Sequence, residues 1–165
     1  MTTTLFTNAH IATGEPGSTA ASTLPLQDIL VTDGVFTAFG PGLAQQYEAQ
    51  GGDLAAIEVV DLGGKLVCPP FCDTHLHLDY VFTARKPGAV NESGTLFEGI
   101  QRWSETKSDL TVDEIKQRAK IGIKKEMLHG VQLIRSHADV TDPNLTSLKA
   151  LLELKEELKD TVTLQ

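Results

Sequence analysis

The segment Asp73-Thr74-His75-Leu76-His77-Leu78-Asp79 holds the densest group of chemistry-bearing side chains in the 165-residue sequence. It follows an apolar, strand-like run, Leu66-Val67-Cys68-Pro69-Pro70-Phe71. Continued as a strand, its period-two alternation puts Asp73, His75, His77 and Asp79 on one face and Thr74, Leu76 and Leu78 on the other. Two imidazoles on one face can aim their ring nitrogens at one divalent ion, zinc or iron, and the flanking carboxylates can orient the rings. A catalytic centre needs at least three protein ligands and a position left open for water, so the pair is an incomplete site. Histidines at this spacing also occur as surface residues or as hydrogen-bonded core residues, and that reading stands beside the first.

His137 is the next candidate. In the run Val131 to Val140 it shares a face with Arg135 and Asp139. Near the end of a strand it could line a pocket, or be held structurally by the neighbouring carboxylate. His10 lies in a β-rich region, and His129 sits where a helix ends, a place that favours partial positive charge. Cys68 and Cys72 read as buried, reduced thiols, since two cysteines make no disulfide framework and structural zinc sites pair two closer clusters. Phe97, Ile100 and Trp103 read as helix packing rather than a stacking platform.

The elements that must position these groups fall into two regions, 1–65 and 66–165. In the first, short β-branched or apolar runs (Thr3 to Phe6, Ile29 to Thr32, Val35 to Phe39, Ile57 to Val60) alternate with Gly, Pro, Ser and Asn, the pattern of a small β-rich unit. Asp33-Gly34 is a hairpin signal, because both positions tolerate positive φ. Residues 14 to 27 and 40 to 54 read as loops or weak helix. After Pro70, helical periods alternate with short strands, which favours βαβ units and a parallel sheet. Thr111 and Glu114 form a capping box ahead of Ile115, Ala119, Ile123 and Met127, and Gly130 stops that helix. A strand over Val131 to Val140 follows, broken by Asp142-Pro143-Asn144. The next helix packs through Leu145, Leu148, Leu151, Leu152 and Leu158, and Thr161 to Gln165 begins another strand.

Charge narrows the partners. The formal net charge is -8, and residues 1–70 carry one basic side chain, Lys65, against seven acidic ones. That balance repels a phosphate backbone and argues against nucleic acid. No apolar stretch reaches membrane-spanning length, and Met1 to Gly14 lacks the pattern of a signal peptide, so a cytoplasmic protein with no membrane partner is expected.

The His-x-His pair after an apolar strand resembles the opening of the barrel in the amidohydrolase superfamily. Ser93 to Trp103 (Ser-Gly-Thr-Leu-Phe-Glu-Gly-Ile-Gln-Arg-Trp) resembles the stretch after the first barrel strand in bacterial cytosine deaminases, and Thr111 to Arg118, Gly130 to Val140 and Leu145 to Lys155 continue the likeness. Lys155 to Asp160 is similar to isopropylammelide amidohydrolases. The resemblance covers about 71–165, while 1–65 matches only the loose β-rich prelude of such enzymes.

It implies an α/β fold, the N-terminal part of a (β/α)8 barrel preceded by a small β-sandwich segment, with the barrel incomplete in this chain. It implies His75 and His77 as metal ligands for one zinc or iron ion, and Leu96, on a loop edging the pocket, as a substrate-binding wall residue. His137 is the second substrate-binding candidate, and Glu98 is read as a solvent-facing or capping carboxylate. The implied reaction is deamination of cytosine to uracil and ammonia, with N-alkyl triazine hydrolysis as the alternative. The catalytic acid–base group is expected beyond Gln165, so the 165 residues alone are expected to be inactive; the partners expected are a small pyrimidine or triazine substrate and either a second copy in a homo-oligomer or a chain that completes the barrel. A non-catalytic interaction module, with the histidines as relics, is the reading from a different class.

Overall fold

The computed structural model describes residues 2–12, 25–85 and 88–165. They form two compact units, Met1–Pro69 and Pro70–Gln165. The expectation of loop or weak helix for residues 14 to 27 falls mainly on 14–24, which lie outside the described residues; Leu26 and Gln27 are strand.

The first unit is one five-stranded sheet with a short helix. Strands β1 (Thr3–Ile11), β2 (Leu26–Thr32) and β3 (Val35–Gly40) are antiparallel neighbours, and β4 (Glu58–Asp61) and β5 (Leu66–Val67) run parallel to β1 at successive positions along it. The expected β-sandwich is therefore a single sheet among the described residues. The hairpin at Asp33-Gly34 forms as expected, with φ of 48° and 77°. Asp28 organises this unit. Its buried carboxylate accepts from the N–H of Asn8, at a bulge in β1, and from the N–H of Leu43, which opens α1 (Leu43–Ala49).

The second unit is a three-stranded parallel sheet, β6 (Phe71–Leu76), β7 (Val131–Ser136) and β8 (Thr163–Leu164), in that order. Helices α2 (Leu96–Lys107) and α3 (Val112–Leu128) connect β6 to β7, and α4 (Thr146–Glu157) connects β7 to β8. It is a run of strand–helix units in which the described residues form no closed barrel. The core joins Leu78, Ala119, Ile123, Ile134, Leu151, Leu154 and Leu164, with Met127 and Leu158 packed against it. A second cluster, Leu110, Ile115 and Ala150, takes in Trp103 and Val112.

α3 starts as its sequence dictates. Thr111 Oγ1 accepts from the N–H of Glu114 and the Glu114 carboxylate accepts from the N–H of Thr111, so two otherwise unpaired donors are satisfied reciprocally. Gly130 ends the turn after α3 at φ 86°, where an added Cβ would lie 3.4 Å from the Phe71 ring.

Several expectations are corrected. β7 stops at Ser136 rather than Val140: His137 N–H still reaches Leu76 O at the end of β6, but the next inward donor, Asp139 N–H, goes to the Asp79 side chain instead of to a ladder partner. In α4 the buried positions are Ser147, Ala150, Leu151 and Leu154, a stripe of 3.6-residue period that leaves Leu145 and Leu152 outside. Thr95 to Gly99 is the cap and first turn of α2, not a loop. Phe97 and Ile100 are exposed on that helix, so neither packs. Cys68 and Cys72 are free thiols as expected but exposed rather than buried, since no described element covers them.

Thr111→Ala removes one side of the capping box without touching the core. It is expected to lower the unfolding free energy by about 1 kcal/mol, seen as a lower urea midpoint at unchanged m.

Candidate functional site

Parallel strands bring their C-terminal ends together, and the ends of β6 and β7 are stitched side by side. His137 N–H donates to Leu76 O (2.8 Å), Leu78 N–H to Ser136 Oγ (3.2 Å) and Asp139 N–H to Asp79 Oδ2 (2.8 Å). This places His75, on the last turn of the β6 ladder, and His77, just past it, beside His137. One nitrogen from each of the three lies within 4.8 Å of the others. The His75 and His77 rings meet edge to face with centroids 5.3 Å apart, whereas His75 and His137 are stacked at 4.0 Å with planes 27° apart.

The strict alternation expected of residues 73 to 79 ends at Leu76. Asp73 turns back to accept from the N–H of His75 (2.9 Å), so its carboxylate serves the strand end. Leu78 and Asp79 are both buried in succession, which no single-faced strand allows. Asp79 has no exposed surface. Burial raises its carboxyl pKa, against the opposing pull of the Asp139 N–H and of His77. Its Oδ1 and the Nδ1 of His77 are both buried without a hydrogen-bond partner and face each other at 3.8 Å. The Nδ1 of His137 is likewise buried and unpartnered.

Arg118 of α3 holds this loop by its carbonyls, donating from Nε to Val81 O and from Nη2 to Asp79 O, both at 3.1 Å. Desolvation lowers the Arg118 pKa, with Glu114 and Asp79 opposing. Asp139 faces the other way. Burial raises its pKa, but donors from Thr141, the Trp103 indole and Lys107 outweigh this and hold it well below the usual carboxylate range.

A cavity of about 490 Å³ opens beside the histidines. His75, His77 and Tyr80 line one side, and Gly99, Arg102 and Trp103 of α2 line another. Tyr80 stacks on His77 (4.7 Å) and touches Trp103 (5.1 Å). Burial and the charge of Asp79 raise the Tyr80 pKa. The Cβ of an alanine at 99 would stand 3.3 Å from Asn91 Nδ2, so the close approach of that loop favours glycine.

Of the residues singled out in the sequence, His75, His77 and His137 are brought together. Leu96 is not among the cavity's lining residues and stands 75% exposed at the first position of α2. Glu98 ties down the loop ahead of α2, accepting from the N–H groups of Glu92 and Ser93, while Thr95 caps the helix. His129 caps α3, its Nδ1 2.7 Å from Lys125 O. Sequence reasoning missed Tyr80 and Arg118 and gave Trp103 only a packing role. The indole N–H was the available signal, since a half-buried tryptophan requires an acceptor.

The parallel strand–helix units and the histidine cluster at their strand ends define a class, and the sequence agrees: residues 58–154 match the model of the amidohydrolase family, to which this chain belongs. Among solved structures it is similar to 5-methylcytosine deaminase from Klebsiella pneumoniae liganded with 5-fluorocytosine, at 37% identity and a TM-score of 0.78, over 98% of this chain and 35% of that one. It is 34% identical over 110 residues to N-isopropylammelide isopropyl amidohydrolase of Pseudomonas sp. strain ADP, covering 64% of this chain and 27% of that protein. Pterin deaminase of Rhizobium rhizogenes is 26% identical over 142 residues, 84% of this chain and 30% of its own length. The chain thus spans about a third of the length of these relatives. No helix among the described residues is long and apolar enough to cross a membrane.

Hydrogen bonds from the Ser93 side chain and from the N–H groups of Ser93 and Glu92 hold the Glu98 carboxyl at about 2. Because the folded value lies below the ordinary one, the stabilisation is complete above the unfolded value and is lost as pH falls through the folded one. The Glu98 carboxyl carbon is expected to titrate near pH 2 by NMR, and Glu98→Gln to weaken the start of α2 above about pH 4.3 while changing little near pH 2.

Proposed function

We propose that this chain supplies the first ligand-bearing strand of a metal-dependent hydrolase whose barrel begins at about residue 66, after a β-rich segment of about 1–65. The protein carrying it acts on the C–N bond of a cytosine-like ring: water adds at the carbon bearing the exocyclic amine, the C–N bond breaks and ammonia leaves. The observation that carries the reading is the meeting of three imidazole nitrogens within 4.8 Å at the ends of two adjacent parallel strands. The choice of ring leans on the 37% identity to 5-methylcytosine deaminase.

The donor set fits zinc or iron, for which neutral imidazole is a suitable ligand. Nδ1 of His77 is buried facing Asp79, which leaves Nε2 of that ring for an ion, and Nδ1 of His137 is buried without a partner. The three rings are not equivalent. A nitrogen lone pair lies in its ring plane, so co-ligands of one ion need planes that meet at the ion. His75 and His77 satisfy this with planes 64° apart. His75 and His137 are stacked, with centroids 4.0 Å apart and planes inclined at 27°, an arrangement that suits ring-on-ring support better than convergence on one ion. His75 and His77 are therefore the ligand pair, and His137 supports the His75 ring and offers its buried nitrogen to substrate.

A divalent ion held there supplies the Lewis acidity that lets water attack a ring carbon at neutral pH. Tyr80 and Trp103 wall the cavity beside His77. Leu96, exposed on the first turn of α2, is kept as a substrate contact only for a ring that reaches the outer rim of that helix. The 34% identity to N-isopropylammelide isopropyl amidohydrolase favours a second reading, with an alkylamine as leaving group from a triazine.

Purified chain is expected to bind one equivalent of cobalt(II) as a zinc surrogate. His75→Ala and His77→Ala should each weaken binding by more than the roughly 10- to 100-fold that loss of an outer-shell partner costs, while His137→Phe, which keeps the stack, should retain it. A folded chain with no affinity for cobalt, zinc or iron overturns the reading in favour of a non-catalytic module. Assays of the protein carrying this chain on cytosine, isocytosine and N-isopropylammelide separate the two substrates. Ammonia from cytosine supports the first, and isopropylamine without ammonia moves the assignment to the second.

A further inference from the structure

Trp103 lies 26 residues beyond His77, on a helix that contributes none of the clustered histidines, yet two chains of contact run from its indole to that ring. On one side it touches Tyr80, with centroids 5.1 Å apart, and Tyr80 stacks on the His77 ring at 4.7 Å with planes 29° apart. On the other, its Nε1–H donates to Asp139 Oδ2 at 2.5 Å, the Asp139 N–H donates to Asp79 Oδ2 at 2.8 Å, and Asp79 Oδ1 faces His77 Nδ1 at 3.8 Å. The indole itself packs against the cluster of Leu110, Ile115 and Ala150.

We propose that Trp103 is a positioning residue for His77. The inference rests on the reading of His77 as a metal ligand and extends it to a residue on α2. A ligand imidazole turns about two side-chain torsions, and two contacts restrict the ring: one against its face and one facing its second nitrogen. Tyr80 supplies the face, and the Asp79 carboxylate, 3.8 Å from Nδ1, supplies the opposing charge. Asp79 can do so only while its other oxygen is tied to the Asp139 backbone, and Asp139 is tied in turn by the Trp103 indole and by Lys107, whose Nζ lies 3.1 Å from Oδ2. With Nδ1 of His77 directed at Asp79, Nε2 is the atom left for the ion. The indole closes both chains at once, a role that phenylalanine, with the same flat bulk and no N–H, would fill only in part.

The test compares the full chain with Trp103→Phe, Trp103→Ala and Thr111→Ala, reading cobalt(II) affinity by competition with a chromophoric chelator and the His77 ring nitrogens by NMR. Thr111→Ala lowers stability without touching either chain of contacts and is expected to leave both readouts unchanged. Trp103→Phe is expected to weaken cobalt binding about tenfold, the lower end of outer-shell effects, and to shift the His77 Nδ1 signal. Trp103→Ala, which removes the Tyr80 contact as well, is expected to weaken it further. Wild-type affinity and an unmoved His77 signal in Trp103→Phe overturn the proposal, as does an equal loss in Thr111→Ala. A wild-type chain that binds no cobalt fails the metal reading itself, a different outcome from a wild-type chain that binds it and is indifferent to Trp103.

Discussion

A carboxylate with no exposed surface lies directly beneath the clustered histidines, and the arrangement around it follows from the need to keep it there. Burying Asp79 disfavours its charged form, which is why its pKa is raised, and an uncompensated charge in that place would be strongly destabilising. The compensation is assembled from three elements. The N–H of Asp139, from the segment after β7, takes one oxygen. His77 faces the other. Arg118, from α3, binds no oxygen of the carboxylate but grips the carbonyls on either side of Tyr80, so the loop cannot swing outward and expose the group. A helix, a strand end and the histidine-bearing loop are thereby held to one point.

That constraint explains where the strands stop. If β6 continued in register through residue 79, Leu78 and Asp79 would point to opposite faces, and only one could be buried against the helices. Both are buried because the ladder ends at Leu76 and the chain turns. β7 ends at the same level, since the N–H of His137 still reaches Leu76 O but that of Asp139 goes to the Asp79 side chain instead of to a continuing strand. Two parallel strands ending level with each other at their C-terminal ends is the geometry in which α/β folds collect reactive side chains, and it brings His137 to a pair sixty residues earlier in sequence.

Much of this was legible beforehand. The capping box at Thr111, the stop at Gly130, the hairpin at Asp33-Gly34 and the shared position of His75 and His77 each follow from a local rule, and local rules act within a few residues. What was not legible depends on distant partners. Period-two alternation states which residues share a face but not where a ladder ends, so it extends the strand through residues 137 to 140 and makes Asp79 a face-mate of His77. Counting leucines in α4 placed Leu152 inside and overlooked Leu154, because the pattern alone does not say which of two adjacent stripes meets β7 and α3. The exposure of Cys68 and Cys72 had the same origin: an apolar run bounded by prolines reads as buried whether or not anything covers it.

The clearest lesson concerns α2. Its apolar residues Leu96, Phe97 and Ile100 are exposed, while Gly99, Arg102, Trp103 and Thr106, spaced i, i+3, i+4 and i+7, face the cavity. A rule that assigns the hydrophobic stripe to the interior therefore turns this helix the wrong way round. The inward stripe is chosen for chemistry and closeness rather than for apolar area: a glycine where Asn91 approaches, an arginine paired with Glu98 and Glu105, a tryptophan with a hydrogen-bond donor. Among the described residues the helix is held by what its polar and aromatic stripe contacts, and its leucine and phenylalanine take no part in that hold.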